Sequence, residues 1–383
     1  MTPRADAPPL LAGVRVLELS QLIAAPLCGL QLLDLGAEVV KVEPPEGEPG
    51  RRLPPLTDGG ESLWFHALNR GKRGVTVERD DAGTLRALIS SADVVVENLA
   101  GAAPVSYEDV AAERSGLVWC AITGRGHGQG GRAVDPSLQA AMGLVALTGD
   151  AAGPPLRVPV PVVDYMTGMA ATQAVLAARW RVERGEPGAL LDIALLDAAA
   201  TLTGLAGVAA LAGEPPARMG SQSPLAVPSG VFASADGHIQ VVAYSERQWR
   251  AICAALGHTE WLDDPRSADA RARLAHRDLV HERLAAVLAT ATTAHWVDAI
   301  IAAGGLAERV REVDEAWRDP QLRERGLLGH LDDAELGGLP LPTLALSGPR
   351  RADPSFHAGP RLGEHTDAVL AELARAASSP RKI

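Results

Sequence analysis

A chain of 383 residues is long enough for two domains and a large buried core. Its 47% apolar and 22% charged content is that of a folded globular protein, and 3% aromatic residues leave no stacking platform for single-stranded nucleic acid. A net charge of −11 argues against a polyanionic backbone as partner, while leaving room for one small phosphorylated ligand in a locally basic pocket.

Residues 14–19 read as a strand, 25–35 as a helix closed by Gly36, and 37–42 as the next strand. The chain thus opens β-α-β, the start of a parallel sheet. A strand over 74–78, a helix over 81–90 and buried strands over 92–98 and 117–122 continue the alternation. The pattern predicts a doubly wound, mostly parallel, Rossmann-like large domain of α/β class. The apolar run 159–163 then ends at Asp164, and a helix follows over 165–181. That spacing puts one carboxylate at the carboxyl end of a strand and the N-terminus of a helix. Open α/β sheets bind ligands at such junctions, and a helix N-terminus favours the ionised, nucleophilic form. A plain helix N-cap is the alternative role for the same residue.

Glycine, proline and serine become frequent over 206–229, and a β-hairpin follows, with strands at 230–232 and 238–243 about Ala235-Asp236-Gly237. Helical patterns come next at 246–256, 275–290 and 294–303, then a Gly/Pro-rich stretch at 337–342 and a last helix at 366–376. The expected organisation is a large domain over 1–205, a linker over 206–229 and a smaller α+β domain over 230–318. A second linker over 319–342 and a return to the large domain over 343–383 complete it. Cys28, Cys120 and Cys253 are far apart and odd in number, which reads as buried thiols in a reduced, cytoplasmic protein. Neither they nor the histidines show a metal spacing. Residues 1–9 lack the apolar core of a signal peptide, and no apolar run reaches the ~18 residues of a membrane span.

The Gly-rich segment 124–131 directly follows a strand. Such a loop lets backbone approach a phosphate, but its spacing is not a dinucleotide fingerprint, and a plain flexible loop fits equally well. A nicotinamide-dependent dehydrogenase is disfavoured because the first strand runs into Ser20-Gln21-Leu22-Ile23-Ala24-Ala25, with no Gly-x-Gly-x-x-Gly.

Six segments in order resemble the family III CoA-transferases. They are Leu11-Ala12-Gly13-Val14-Arg15-Val16-Leu17-Glu18-Leu19 with Ala25-Pro26, then Leu35-Gly36-Ala37-Glu38-Val39-Val40-Lys41-Val42-Glu43, then Asn69-Arg70-Gly71-Lys72-Arg73. The others are Ala92-Asp93-Val94-Val95-Val96-Glu97-Asn98, Asp164 with Thr167-Gly168-Met169, and Leu362-Gly363-Glu364-His365-Thr366. The resemblance spans 11–373. It implies a CoA-transferase that moves CoA from an acyl-CoA donor to a carboxylic acid through anhydride and aspartyl-CoA thioester intermediates on Asp164. It also implies coenzyme A as a substrate rather than a resident cofactor, no metal, and an interlocked homodimer with the partner's small domain near Asp164. Family positions assign CoA contacts to Ile23, Ala24, Val77, Asn98, Leu99, Gly124, Gly126, Gly131 and Arg132, and a second acid to Asp135. Arg132 reads equally as a solvated surface charge. His365 is expected to make a structural hydrogen bond.

The chain departs from the pattern at Asn98-Leu99-Ala100-Gly101-Ala102-Ala103-Pro104-Val105, where a phosphate-gripping Arg is usual. Met219-Gly220-Ser221-Gln222-Ser223-Pro224 and Leu306-Ala307-Glu308-Arg309-Val310 also differ from it. A 2-methylacyl-CoA racemase on the same fold is the nearest alternative, but the His of its His-Asp pair falls on Val134, which moves no proton. The absent Arg favours a second alternative, a CoA-binding subunit without chemistry, and the presence of Asp164 argues against it.

Overall fold

The computed structural model describes residues 9–99, 103–129, 132–333, 336–344 and 354–378. The chain begins with β1 (Arg15–Leu19), α1 (Ala24–Asp34), β2 (Glu38–Glu43), α2 (Leu63–Asn69), β3 (Arg73–Thr76), α3 (Ala82–Ser90), β4 (Val94–Glu97) and β5 (Val118–Thr123). Then come α4 (Asp135–Ala141), α5 (Leu144–Leu147), α6 (Val162–Glu183), β6 (Leu190–Ala194), α7 (Leu195–Leu202) and α8 (Gly204–Leu211). The next stretch holds β7 (Ser229–Ala233), β8 (His238–Val242), α9 (Glu246–Ala255), α10 (Ala270–Ala275), α11 (Arg277–Leu288), α12 (Thr293–Ala302) and β9 (Leu306–Arg309). The last elements are α13 (Val313–Ala316), α14 (Pro320–Glu324), β10 (Leu328–Leu331), β11 (Pro340–Pro342), β12 (Ser355–Phe356) and α15 (Thr366–Ser378). Among the described residues, one compact unit takes 9–142, 158–204 and 319–378, and the other takes 143–157 and 205–318. No single helix among them is long and apolar enough to cross a membrane.

The larger unit is built on a six-stranded parallel sheet of order β3-β2-β1-β4-β5-β6. Strand residues alternate between faces. Val16, Val94, Val96, Val118, Cys120 and Ile122 pack on one side with α1, α6 and α7. Leu17, Leu19, Val95, Trp119 and Ala121 pack on the other with Leu85, Leu88 and Ile89 of α3 and Val369 of α15. Burial on both faces is why these strands read as unbroken apolar runs. The chain winds outward one way through β2 and β3 and the other way through β4, β5 and β6. Neighbouring β1 and β4 therefore form the topological switch point of the sheet. Helix α1 stops as its sequence suggests: Gly36 holds φ +104°, and Ala37 donates back to the Leu32 carbonyl at 3.1 Å.

The same unit contains a small sheet of order β11-β10-β12, with β10 antiparallel to β11 and parallel to β12. Residues 319–342, expected as a linker, thus carry α14, β10 and β11 and belong to the larger unit. The C-terminal Leu362–Thr366 segment ties down edge strand β3. The Gly74 N–H donates to His365 Nδ1 at 3.2 Å, and the Thr76 N–H donates to Thr366 Oγ1 at 3.0 Å. Strand β6 and helix α2 carry no clear period in the sequence and were not expected there.

In the smaller unit β7, β8 and β9 form an antiparallel sheet. Leu306–Arg309 is its third strand, and residues 206–211, expected as linker, lie in α8. The expected helix over 275–290 is α11, and a short separate helix, α10, precedes it, the two meeting at His276. Buried Arg273 steadies this unit: its Nε donates to the Val227 carbonyl at 2.8 Å, and its two terminal nitrogens reach Glu246, each at 3.0 Å.

Candidate active site

The carboxyl ends of the parallel strands open on two cavities that meet over the switch point. One, of about 430 Å³, lies over β1, β2 and β3 and is lined by Leu19, Val42, Glu43, Val77 and the Arg52 and Arg79 side chains, among others. The other, of about 840 Å³, lies between the β1–α1 loop, the end of β5 and the start of α6, and contains Asp135 and Asp164. Gln21 and Leu99 line both, so a long ligand can lie across them.

The β1–α1 loop forming the shared wall is held by a buried charge network. Glu18, fully buried, accepts from Ser20 Oγ at 2.6 Å, Lys41 at 3.2 Å and Lys72 at 2.7 Å. Lys41 continues to Glu48 Oε1 at 3.2 Å, and Glu48 Oε2 accepts the Leu22 N–H at 2.7 Å. That bond fixes Leu22 at φ +65°, a left-handed conformation that a branched side chain rarely adopts. Asn98 clamps the next residue in both directions: its Oδ1 accepts the Gln21 N–H at 2.9 Å and its Nδ2 donates to the Gln21 carbonyl at 2.8 Å. With these two residues fixed, Ile23 and Ala24 are placed on the cleft wall. Helix α1 starts there without a side-chain cap.

The basic turn Asn69-Arg70-Gly71-Lys72-Arg73 serves the same scaffold. Lys72 also donates to the Pro26 carbonyl and to Asn69 Oδ1, both at 2.9 Å, and Arg70 holds Asp34 through two bonds of 2.8 and 2.6 Å. Arg73 pairs with Glu38 and Glu372. All three cations are thus taken up by protein carboxylates.

Asp164 lies in the first turn of α6, not at its cap. The helix begins at Val162, three residues earlier than expected, so 159–163 is a bend followed by helix and not a strand. Asp135, buried in the first turn of α4, does the capping: it accepts the Val163 N–H at 2.7 Å and the Asp164 N–H at 3.3 Å, and also Gln139 Nε2 at 2.7 Å. Because Asp135 has taken those donors, the helix end does not favour an ionised Asp164. Burial, and secondly the neighbouring Asp135 charge, push the Asp164 carboxyl up to about 7. This reverses the expected direction. Asp135, expected as a second acid, lines the same cavity as Asp164 and also anchors α6.

Helix α6 can place Asp164 over α1 because Gly168 lets the two helices touch. A Cβ there would lie 2.6 Å from the Ala24 carbonyl oxygen and 3.1 Å from Leu27 Cβ. A glycine inside a helical pattern costs ~1 kcal/mol against alanine and signals such a packing reason. Sequence reading attached Gly168 to the motif without finding that reason. The Glu48–Leu22 and Asn98–Gln21 contacts join residues far apart in the chain and left no local signal.

The expected CoA contacts separate into groups. Ile23, Ala24, Asn98, Leu99, Gly124 and Arg132 line the larger cavity, and Val77 with Leu99 lines the smaller. The Asn98 side chain is engaged by Gln21, so it shapes the wall. Gly124 allows the backbone of Ala133 to pass, at 3.0 Å from where a Cβ would sit. Gly126 is not among the lining residues. Its N–H donates to Thr123 Oγ1 at 2.9 Å, and the His127 N–H donates to Asp192 at 2.8 Å, so neither N–H is open to a phosphate. Gly131 lies outside the described residues. Arg132 is exposed at the rim, and Val134 stands exposed beside Asp135 with no proton to exchange.

Comparison with known proteins gives this architecture its class. The profile of CoA-transferase family III matches residues 11–366. The succinate–glutarate CoA-transferase of Agrobacterium fabrum is 33% identical, over 97% of this chain and 98% of that protein. The acetyl-CoA:oxalate CoA-transferase of Acetobacter aceti is 29% identical, over 94% of this chain and 95% of that protein. Among solved structures, a CAIB/BAIF family protein from Brucella suis superposes with TM-score 0.82 at 30% identity, covering 96% of this chain and all of that one. The chain belongs to CoA-transferase family III. It is an enzyme, a CoA-transferase acting on carboxylic acids.

Proposed function

We propose that this transferase works by covalent catalysis at Asp164, with the nucleotide end of an acyl-CoA over β1–β3 and its thioester in the larger cavity. The observation that carries the reading is Asp164 itself, a half-buried carboxylate on the wall of the 840 Å³ cavity. The ionised Asp164 attacks the thioester carbonyl. The C–S bond breaks, giving an acyl-aspartyl anhydride and CoA thiolate. The thiolate then attacks the Asp164 carbonyl carbon, and the donor acid leaves with the electron pair of the broken anhydride bond. The product is an aspartyl-CoA thioester. An acceptor carboxylate attacks this thioester, forming a new anhydride and freeing the thiolate. Attack of the thiolate on the acceptor's acyl carbon completes the new acyl-CoA and regenerates the Asp164 carboxylate. Each step exchanges bonds of similar energy, so the cycle runs without ATP.

The uncapped first turn of α1 is suited to stabilise the oxyanions, because the Ala24 and Ala25 N–H groups have no partner within the helix. Arg52 and Arg79, on the wall of the smaller cavity, are the cations placed to meet the phosphates in place of the missing Arg of the 98–105 turn. To do so Arg79 exchanges its ion pair with Glu46, and Arg52 its bond to the Glu46 carbonyl. Incubation with acyl-CoA and hydroxylamine tests the mechanism. An activated aspartyl ester is trapped as a hydroxamate, which mass spectrometry should locate on Asp164. Asp164→Ala should lose more than about a thousandfold in kcat. An unmodified Asp164 in an enzyme that is turning over, or a variant within tenfold of the natural protein, would exclude the covalent route.

A further inference from the structure

Beside the larger cavity lies a third, of about 380 Å³, in the same unit. Ile23 lines both cavities, and Tyr165, next in sequence to Asp164, lines the third. Leu63, Trp64 and Leu68 of α2 form one wall and Leu341 of β11 lies in another. The remaining lining residues are Ala, Val, Leu and Pro, and none of the described residues that line it carries a charge.

From this arrangement we infer that the chamber behind Ile23 receives the acyl body of the exchanged acid, and that the enzyme takes acids with an apolar tail in preference to dicarboxylates. The inference rests on the thioester being seated at Asp164. With the reacting carbonyl there, the rest of the acyl group has Ile23 on one side and the chamber beyond it. A hydrocarbon tail gains about 0.8 kcal/mol for each buried methylene, close to a fourfold gain in kcat/KM per carbon. A second carboxylate in the same place would be desolvated with no cationic partner among the described lining residues, whose only side-chain donors are Tyr165 and Trp64, which is strongly unfavourable for a charge. Two relatives are named for succinate, glutarate and oxalate, which are dicarboxylic acids, so the preference inferred here differs from the acids in those names.

Self-exchange isolates this pocket, because donor and acceptor carry the same acyl group. The enzyme is given an acyl-CoA and the matching isotopically labelled acid, and label entering the thioester is followed by mass spectrometry. The expected result is kcat/KM rising from acetyl through butanoyl to hexanoyl, with hexanoyl at least thirtyfold above glutaryl. Leu63→Trp, which narrows the chamber, should lower the hexanoyl-to-acetyl ratio by tenfold or more. That ratio is measured within one protein and is insensitive to a loss of folded material. Succinyl or glutaryl exchange equal to or faster than hexanoyl in the natural protein would overturn the assignment, whatever the variant does. Exchange of no acyl group at all would instead sink the transfer reading on which it depends.

Discussion

Asp164 is the residue on which the proposed mechanism turns, and its environment raises its pKa rather than lowering it. Burial and the Asp135 charge bring the carboxyl to about 7, while only its ionised form attacks a thioester. The expected pH profile of kcat/KM therefore rises tenfold per pH unit below about 7 and levels above it. A flat profile between pH 5 and 8 would show that Asp164 ionises like an exposed carboxylate. The same shift makes a prediction for stability. In the unfolded chain the carboxyl ionises near its ordinary value of 3.8, so between that value and about 7 the folded state binds more protons than the unfolded state. Stability at this site then falls as pH rises through that window. The effect is roughly 1–3 kcal/mol once solvent in the open cleft is allowed for. Asp164→Asn removes the titration. It should melt higher than the natural protein at pH 8 and close to it at pH 4, as thermal melts at the two pH values would read. Asparagine here preserves no cap, because the helix is capped by Asp135.

At the scale of elements, the site depends on how close α1 and α6 come. Gly168 sets that distance. Gly168→Ala forces a methyl group against the Ala24 carbonyl and Leu27, and neither can move without shifting α1. The expected cost is about 1–3 kcal/mol in chemical denaturation. The expected loss of kcat exceeds what the unfolded fraction explains, since the shift displaces Asp164 from Ile23 and the α1 N-terminus. A variant that loses stability but keeps full kcat per folded molecule would separate the packing from the catalytic geometry. The basic 69–73 turn teaches a related lesson. The sequence shows three cations in five residues, and Arg70, Lys72 and Arg73 are all engaged with Asp34, Glu18, Glu38 and Glu372. A buried cation usually has a protein partner, and the partners here lie up to ~300 residues away, beyond local pattern reading.

At the scale of the whole molecule we propose the interlocked homodimer that the family resemblance implies. Helix α8, all apolar or glycine, buries none of its residues in the single chain: Leu205, Val208 and Leu211, on one face, are 87%, 67% and 92% exposed. A contiguous exposed apolar face of this kind marks a protein contact. An interlocked dimer separates only by unfolding, so sizing with light scattering should find dimer alone after dilution to nanomolar concentration in native buffer. A folded, active monomer would refute the assembly.

Much of the larger unit was legible because its strands are covered on both faces. Val94–Glu97 and Val118–Thr123 then announce themselves as apolar runs, and Gly36 marks the end of α1 through a backbone conformation that only glycine adopts easily. The sequence by itself determined the parallel sheet, the placing of Asp164 beside a helix N-terminus, and the family resemblance. It did not distinguish a carboxylate that caps a helix from one that stands free in its first turn. That depends on Asp135, 29 residues earlier, taking the Val163 and Asp164 N–H groups. The pKa of Asp164, the clamp on Leu22 and the apolar chamber behind Ile23 likewise arise from groups that meet only after folding. Burial and Coulomb interactions act through space, so the tertiary structure alone decided how Asp164 ionises and what stands beside it.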